Sequence, residues 1–169
     1  MRNIAFIATT TLIAGLMALS GCAALLPVEP LVGDPLERVT AQLGQPTAVY
    51  PAGQERWLEF AKGPMGQYTW MAHMGADGRL RSYEQVLTSE KFATIEIGKA
   101  RADAVLRIVG RPAERSRVAL REGEVWSYRY KESGAWNSMM HIHFDPSGVV
   151  QMLQNGPDPM YEYNDSLRD

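Results

Sequence analysis

Two stretches, GDPLERVTAQLGQP at residues 33–46 and GKARADAVLRIVGRP at residues 98–112, decide the fold because they open two copies of one unit. In each stretch, apolar residues at helical spacing predict a short helix. A glycine followed two residues later by a proline predicts the end of that helix, and these pairs are Gly44 with Pro46 and Gly110 with Pro112. A helix written twice in this way indicates an internal repeat.

The sequence pattern of the strands that follow each helix also occurs twice. RWLEFA contains Trp57 in the first copy, and VWSYRY contains Trp126 in the second. An apolar strand, a glycine turn and a closing strand come next in both copies. Alternation along the apolar strands places one set of side chains inward, namely Tyr68, Trp70, Ala72 and Met74 in the first copy and Met140, Ile142 and Phe144 in the second. The sequence therefore predicts an α+β fold of two tandem units, each a short helical segment packed on a three- or four-stranded antiparallel sheet.

These patterns divide the chain into five segments. Ten residues with two prolines, AALLPVEPLV, precede the first unit and are typical of a tether, whereas a polar, proline-containing stretch follows the second unit. We predict a signal peptide at 1–21, a lipidated tether at 22–32, a first unit at 33–90, a second unit at 95–155 and a flexible tail at 156–169.

The N-terminal segment predicts where the protein resides. An uncharged run from Ile4 to Leu19, about 16 residues, is shorter than the roughly 20 that a membrane-spanning helix needs. The run ends in LSGC, which resembles a bacterial lipobox, and that resemblance implies that Cys22 is lipidated and that the signal is cleaved just before it. The alternatives are a plain secreted protein or an uncleaved anchor. Because Ala23 and Ala24 follow the cysteine rather than aspartate, the resemblance implies the periplasmic face of the outer membrane.

A second resemblance covers most of the chain after the tether. A helix ending in glycine and proline, a Trp-x-Tyr strand and an apolar strand closing in FDxxG resemble the SmpA/OmlA (BamE-like) family of outer-membrane lipoproteins. The match is clearer in the second copy and is carried there by Gly110, Pro112, Trp126, Tyr128, Phe144, Asp145 and Gly148. The first copy departs from the pattern at Glu59, aligned with Tyr128, and at Met74, aligned with Phe144. The unit in tandem resembles the β-lactamase inhibitor protein fold.

The SmpA/OmlA resemblance implies a non-enzymatic accessory or scaffold in envelope biogenesis, with assembly of outer-membrane β-barrel proteins as its best-known setting. The alternative is a protein-binding or inhibitor module that masks another envelope protein. Either role implies an envelope protein as partner and a membrane contact through the lipid. A formal net charge of −2 without a basic patch argues against nucleic acid, and no small-molecule substrate or cofactor is indicated.

Catalytic and metal sites are not predicted. Lipidation would consume Cys22, which is the only cysteine, and the familiar catalytic motifs are missing from the sequence. His141 and His143 lie two apart on a strand, an arrangement that can bind zinc. If Ile142 faces inward, however, both histidines point to solvent, and we favour that interpretation.

Three side chains are candidates for partner binding. Aligning Trp57 with Trp126 leaves Leu58 and Phe60 on the outer face of their strand. Three explanations remain open for this apolar spot: the two units pack there, a bulge turns Phe60 into the core, or another protein binds. Trp136, in the turn ESGAW, is the third candidate, and its alternative role is to cover the edge of the core.

Overall fold

The computed structural model describes residues 29–117 and 123–162. Cys22, the signal peptide, most of the tether and the last seven residues lie outside the described residues, so the predictions made for them remain predictions. The elements in chain order are α1 (Leu36–Leu43), β1 (Ala48–Ala52), β2 (Glu55–Lys62), a short 3-10 segment (Pro64–Gly66), β3 (Tyr68–Met74), β4 (Leu80–Gln85), α2 (Ser89–Ala93), α3 (Ala102–Val109), β5 (Glu114–Arg117), β6 (Glu124–Glu132), β7 (Trp136–Phe144), β8 (Val150–Pro157) and α4 (Pro159–Glu162).

The strands form two four-stranded antiparallel sheets of the same topology. One sheet has the order β1-β2-β3-β4, and the other has the order β5-β6-β7-β8. Each sheet follows a short helix whose last residue is succeeded by a glycine at positive φ, 84° at Gly44 and 80° at Gly110. Non-glycine residues rarely adopt this backbone conformation, which explains why both copies keep glycine there. The predicted α+β fold of two tandem units is confirmed.

Matching hydrogen bonds establish which residues of the two units correspond. The backbone N–H of Thr47 donates to the carbonyl of Glu59 over 2.7 Å, and that of Ala113 donates to the carbonyl of Ser127 over 2.9 Å. Glu59 is therefore the counterpart of Ser127, not of Tyr128 as the sequence alignment had it.

This correspondence shifts the alignment of the two tryptophan strands by one residue. Leu58 corresponds to Trp126 and Phe60 to Tyr128, whereas Trp57 lies on the opposite face of its sheet. The register is regular across β2 and β3, so no bulge causes the difference. Side chains alternate along a strand, so a one-residue slip in alignment reverses the predicted face of every side chain.

Each sheet packs one face against its helix to form a core. The first core consists of Val39, Leu58, Phe60, Ala72, Met74 and Leu80. The second core is richer in aromatic residues and consists of Leu87, Phe92, Ile95, Val105, Val109, Trp126, Tyr128, Tyr130, Met140, Ile142, Phe144 and Val150. The predicted inward direction of Met140, Ile142 and Phe144 agrees with this packing.

The segment between the sheets belongs with the second unit. Leu87 and Phe92 are buried in the second core, and the Phe92 ring lies edge-on to Tyr128 and Tyr130. The predicted first unit ends at residue 90, inside α2, and the predicted second unit begins only at residue 95. The packing instead ends the first unit with β4.

The beginning of the predicted flexible tail is part of the second unit. Strand β8 continues through Pro157, and α4 follows it. The fully buried carboxylate of Asp158 accepts hydrogen bonds of 3.1 and 3.2 Å from the Arg129 guanidinium. This buried ion pair, invisible in the local sequence, explains why residues 156–162 form regular elements rather than the predicted flexible tail.

Candidate functional site

Two of the three predicted partner-binding residues are in the core. Leu58 and Phe60 are 2% and 3% exposed and pack beneath α1. The prediction that they form an outer apolar spot is wrong, because it depended on aligning Trp57 with Trp126. The third residue, Trp136, does not form a common site with Leu58 and Phe60.

Trp136 is accessible. It begins β7 at the tip of the β6–β7 hairpin, opposite Glu132, and it is 73% exposed. It therefore does not cover the edge of the core, which was its alternative role. A large apolar side chain exposed to this degree at a hairpin tip is the most prominent candidate contact in the described residues.

Hydrogen bonds fix the strands next to the tip of this hairpin. The Glu132 carboxylate accepts from the Ser138 hydroxyl over 2.7 Å and from the Asn155 amide over 3.0 Å. These two bonds, the one from Ser138 first, hold the pKa of Glu132 below its ordinary value. The Glu132 carboxylate thereby links β6, β7 and β8 next to Trp136.

The first unit also supports the hairpin. The buried side chain of Gln67 donates a 3.0 Å hydrogen bond to the Asn137 side chain, one residue after Trp136. The chain before Gln67 turns sharply through Met65, which has a positive φ of 58°. The two units therefore meet at the end of the molecule that carries Trp136.

The largest polar network between the units centres on Glu59, which is 2% exposed. Its carboxylate accepts hydrogen bonds from the Tyr50 hydroxyl, from Thr47 Oγ1 over 3.2 Å and from the backbone N–H of Arg111 over 2.9 Å. The Arg111 guanidinium returns a 2.6 Å bond to the Thr47 carbonyl. A strand of the first unit is thereby joined to the end of helix α3 in the second.

The surroundings of this network show how closely the units pack. Burial, followed by the hydrogen bond to Glu59 and the negative charge of its carboxylate, raises the pKa of Tyr50 well above its ordinary value, so Tyr50 is a neutral donor. A Cβ on Gly110 would lie only 2.8 Å from Glu59 Oε2 and 3.1 Å from Thr69. Sequence reasoning missed this interface, although a glutamate among the apolar residues of WLEF was a signal that could have revealed it.

Two cavities lie between the first sheet and the second unit. One, of about 260 Å³, is lined by residues that include Glu59, Thr69, Arg111, Tyr128 and Arg129. The other, of about 160 Å³, is lined by residues that include Trp57, Met71, His73, Lys91, Arg107 and Ile108. In the second cavity the Trp57 and His73 rings stack at 4.2 Å. Arg107 and Ile108 of helix α3 therefore face the back of the first sheet across this cavity, while Val105 and Val109 of the same helix lie in the second core.

The histidines lie on the face opposite the second core, as alternation predicts. The Ser127 hydroxyl and His141 Nδ1 are hydrogen-bonded over 2.8 Å, and His143 is half-buried on the same face. Across residues 29–117 and 123–162, no group of three His, Cys, Asp or Glu side chains is arranged to hold a metal ion. In the same part of the chain, no helix combines the length and the apolar character needed to cross a membrane.

Comparisons with known proteins leave the family open. No family model matches the chain, and no curated protein matches it either. A solved structure that matches is the crystal structure of a DUF4309 family protein (YjgB) from Bacillus subtilis, 13% identical, with 74% of this chain and 79% of that chain covered and a TM-score of 0.31. The SmpA/OmlA resemblance thus stays a prediction.

Proposed function

We propose that this chain is a lipid-anchored lipoprotein on the periplasmic face of the outer membrane. In this proposal it acts as a non-enzymatic scaffold in envelope biogenesis, with β-barrel protein assembly as the setting, and binds an envelope protein through the Trp136 hairpin. The observation that carries the proposal is the 73% exposure of Trp136 at a hairpin tip that hydrogen bonds hold in place.

A tryptophan held in this way suits protein recognition. It offers a large apolar area, and few of its torsions must be immobilised when a partner covers it. Tryptophan is enriched among the few residues that contribute most of the affinity of an interface. Because Glu132, Ser138 and Asn155 already order the strands beside it, little further ordering is needed on binding.

The position of Trp136 relative to the tether also supports a scaffold. The described chain enters the first unit at the end of β3 where Gly33 bonds to Leu80 over 2.8 Å. Trp136 is at the other end, where Gln67 precedes β3 and bonds to Asn137. The seven residues of β3 separate these ends by roughly 20 Å. A membrane anchor at Cys22 would leave the Trp136 end free to meet a partner.

The partner proposal is tested by cross-linking in intact cells, followed by purification of the full chain. Trp136→Ser is expected to weaken partner recovery about thirtyfold, the effect of losing a central aromatic contact. The matched control is Val49→Ser, since Val49 is 47% exposed on the first sheet. Equal partner recovery with both folded variants would refute the assignment of Trp136.

The anchor is tested separately through Cys22. Cys22→Ala should abolish incorporation of labelled palmitate and leave the signal peptide uncleaved, because no thiol remains for the thioether that precedes cleavage. The inhibitor alternative predicts a different partner in the cross-linking experiment. An envelope enzyme that loses activity when it binds the chain, but not when it binds the Trp136→Ser variant, would favour that role.

A further inference from the structure

The four edge strands of the two sheets differ in how well they resist pairing with another strand. Strand β1 contains Pro51, which lacks an N–H, and β4 carries Arg81 and Glu84. Strand β5 has only four residues, ERSR, three of them charged. Charges, prolines and short length are the usual means by which proteins prevent pairing at sheet edges. Strand β8, VQMLQNGP, has eight residues, no charge and a proline only at its end.

In the described part of the chain, only Val150 forms backbone hydrogen bonds on the outer side of β8. Val150 is covered, since it accepts a 2.7 Å bond from the Gly98 N–H and donates a 2.8 Å bond to the Ala100 carbonyl. Within residues 29–117 and 123–162, no further backbone hydrogen bond reaches this side of β8. Gln151 and Gln154 are exposed, and Met152 is 39% exposed. An antiparallel edge strand directs alternate N–H and C=O groups outward, so these groups face solvent.

We propose that β8 pairs with β8 of a second copy of this chain, antiparallel and across a twofold axis. The β5–β8 sheet of each copy would then join that of the other copy in one continuous eight-stranded sheet. A twofold contact places the same strand on both sides, so it must be compatible with itself. Strand β8 meets this requirement because it carries no charge, so the copies have no like charges to oppose each other.

The polar side chains of β8 also favour pairing with a second copy of this chain. Gln154 has an amide that both donates and accepts, so identical side chains can bond across the axis, whereas the Gln151 amide already donates over 2.9 Å to the Asp145 carboxylate. The edge β5 carries two arginines, Arg115 and Arg117, whose like charges would oppose each other in such an arrangement. A neutral strand of another protein is the competing occupant, and it predicts a chain that is monomeric when pure.

The test is sedimentation velocity of the pure full chain in a neutral detergent over a range of concentrations. The unaltered chain should reach twice the mass of a single copy. Gln154→Lys places like charges near the axis and should weaken the dimer about tenfold or more. Ser116→Lys, which adds the same charge to the exposed edge β5, is the matched control and should leave the dimer intact.

A second measurement identifies the strand that pairs. Amide hydrogen exchange of residues 151–156 should slow as the concentration of the unaltered chain rises, but not for Gln154→Lys. A single-copy mass at every concentration would overturn the proposal, and so would a dimer that Gln154→Lys leaves unchanged. Trp136→Ser should retain the dimer, so loss of the partner and loss of self-pairing are distinguishable.

Discussion

The two units share one topology but differ in what they bury. The core of the first is mostly aliphatic, with Val39, Leu58, Met74 and Leu80 around Phe60. The core of the second is built on the aromatic residues Phe92, Trp126, Tyr128, Tyr130 and Phe144. Alternation and turn glycines specify this fold in both copies, while the inward residues differ in size and type. A shared fold therefore does not imply a residue-by-residue match of the cores.

The faces opposite the cores differ even more. In the first sheet, Glu59 is buried against the second unit and bonds to Arg111. In the second sheet, its counterpart Ser127 bonds to His141 of the neighbouring strand. Equivalent positions thus join two units in one case and two strands of a single sheet in the other.

The largest expected effect tests the corrected position of Phe60. Phe60→Ala should reduce the free energy of unfolding by about 3–5 kcal/mol, because it removes a buried ring from the first core. Val49→Ala on the exposed edge of the same sheet should change it by less than about 0.5 kcal/mol. Chemical denaturation of both variants provides the measurement. Equally small losses of stability in both variants would indicate that Phe60 lies on the outer face of its strand.

An intermediate loss of stability is expected at Glu59, whose role differs from that of its counterpart Ser127. Glu59→Gln should lower the free energy of unfolding by about 2 kcal/mol. The new amide N–H₂ would face hydrogen-bond donors, and the charge that attracts Arg111 would be lost. Ser127→Ala, the matched change in the second unit, should cost about 1 kcal/mol. Denaturant midpoints of the two variants give the comparison. A cost at Ser127 equal to or above that at Glu59 would remove the distinction between the faces.

The smallest effect concerns the turns that close the two units. Asp145 accepts from the Val149 N–H over 2.9 Å and from the Ser147 hydroxyl over 2.7 Å, and these bonds, Val149 first, lower its pKa. In the first unit the corresponding position is Gly75, and the carboxylate of that turn is Asp77, which accepts from the Arg79 N–H over 3.2 Å. A carboxyl whose pKa is lower in the folded state stabilises the fold above its unfolded pKa, near 3.9, and loses this contribution as pH falls through the folded value.

Asp145→Asn should therefore be less stable than the unaltered chain at neutral pH, and the difference should shrink toward about pH 3. Unfolding curves of both proteins at several pH values measure this difference. A constant gap across that range would show that the carboxylate charge of Asp145 does not stabilise the turn.

The sequence contained enough information to predict the repeat but not its register. The helices end at Gly44 and Gly110 as predicted, and alternation in β7 correctly predicted that Ile142 points inward. The register of β2 depends on long-range pairing, and Leu58 lies opposite Ala72 of β3. A tryptophan in each strand suggested the wrong alignment, since residue type alone does not specify a face.

The candidate site was less accessible to sequence reasoning than the fold. Trp136 could be proposed from its turn, but its exposure depends on where neighbouring elements end. The contacts of Glu59 with Arg111, 52 residues apart, and of Arg129 with Asp158, 29 residues apart, arise only after the sheets have formed. No local pattern encodes such pairs, because each partner alone is an ordinary charged residue.

Helix α3 has a consequence for the order in which the protein folds. A chain emerges during synthesis from its N-terminus, so the first unit is available before the second. The back of its sheet, with the Glu59 carboxylate, is covered only when Gly110 and Arg111 arrive at the end of that helix. The unit that is made first thus cannot complete this face from its own residues, and its assembly waits for residues of the second unit.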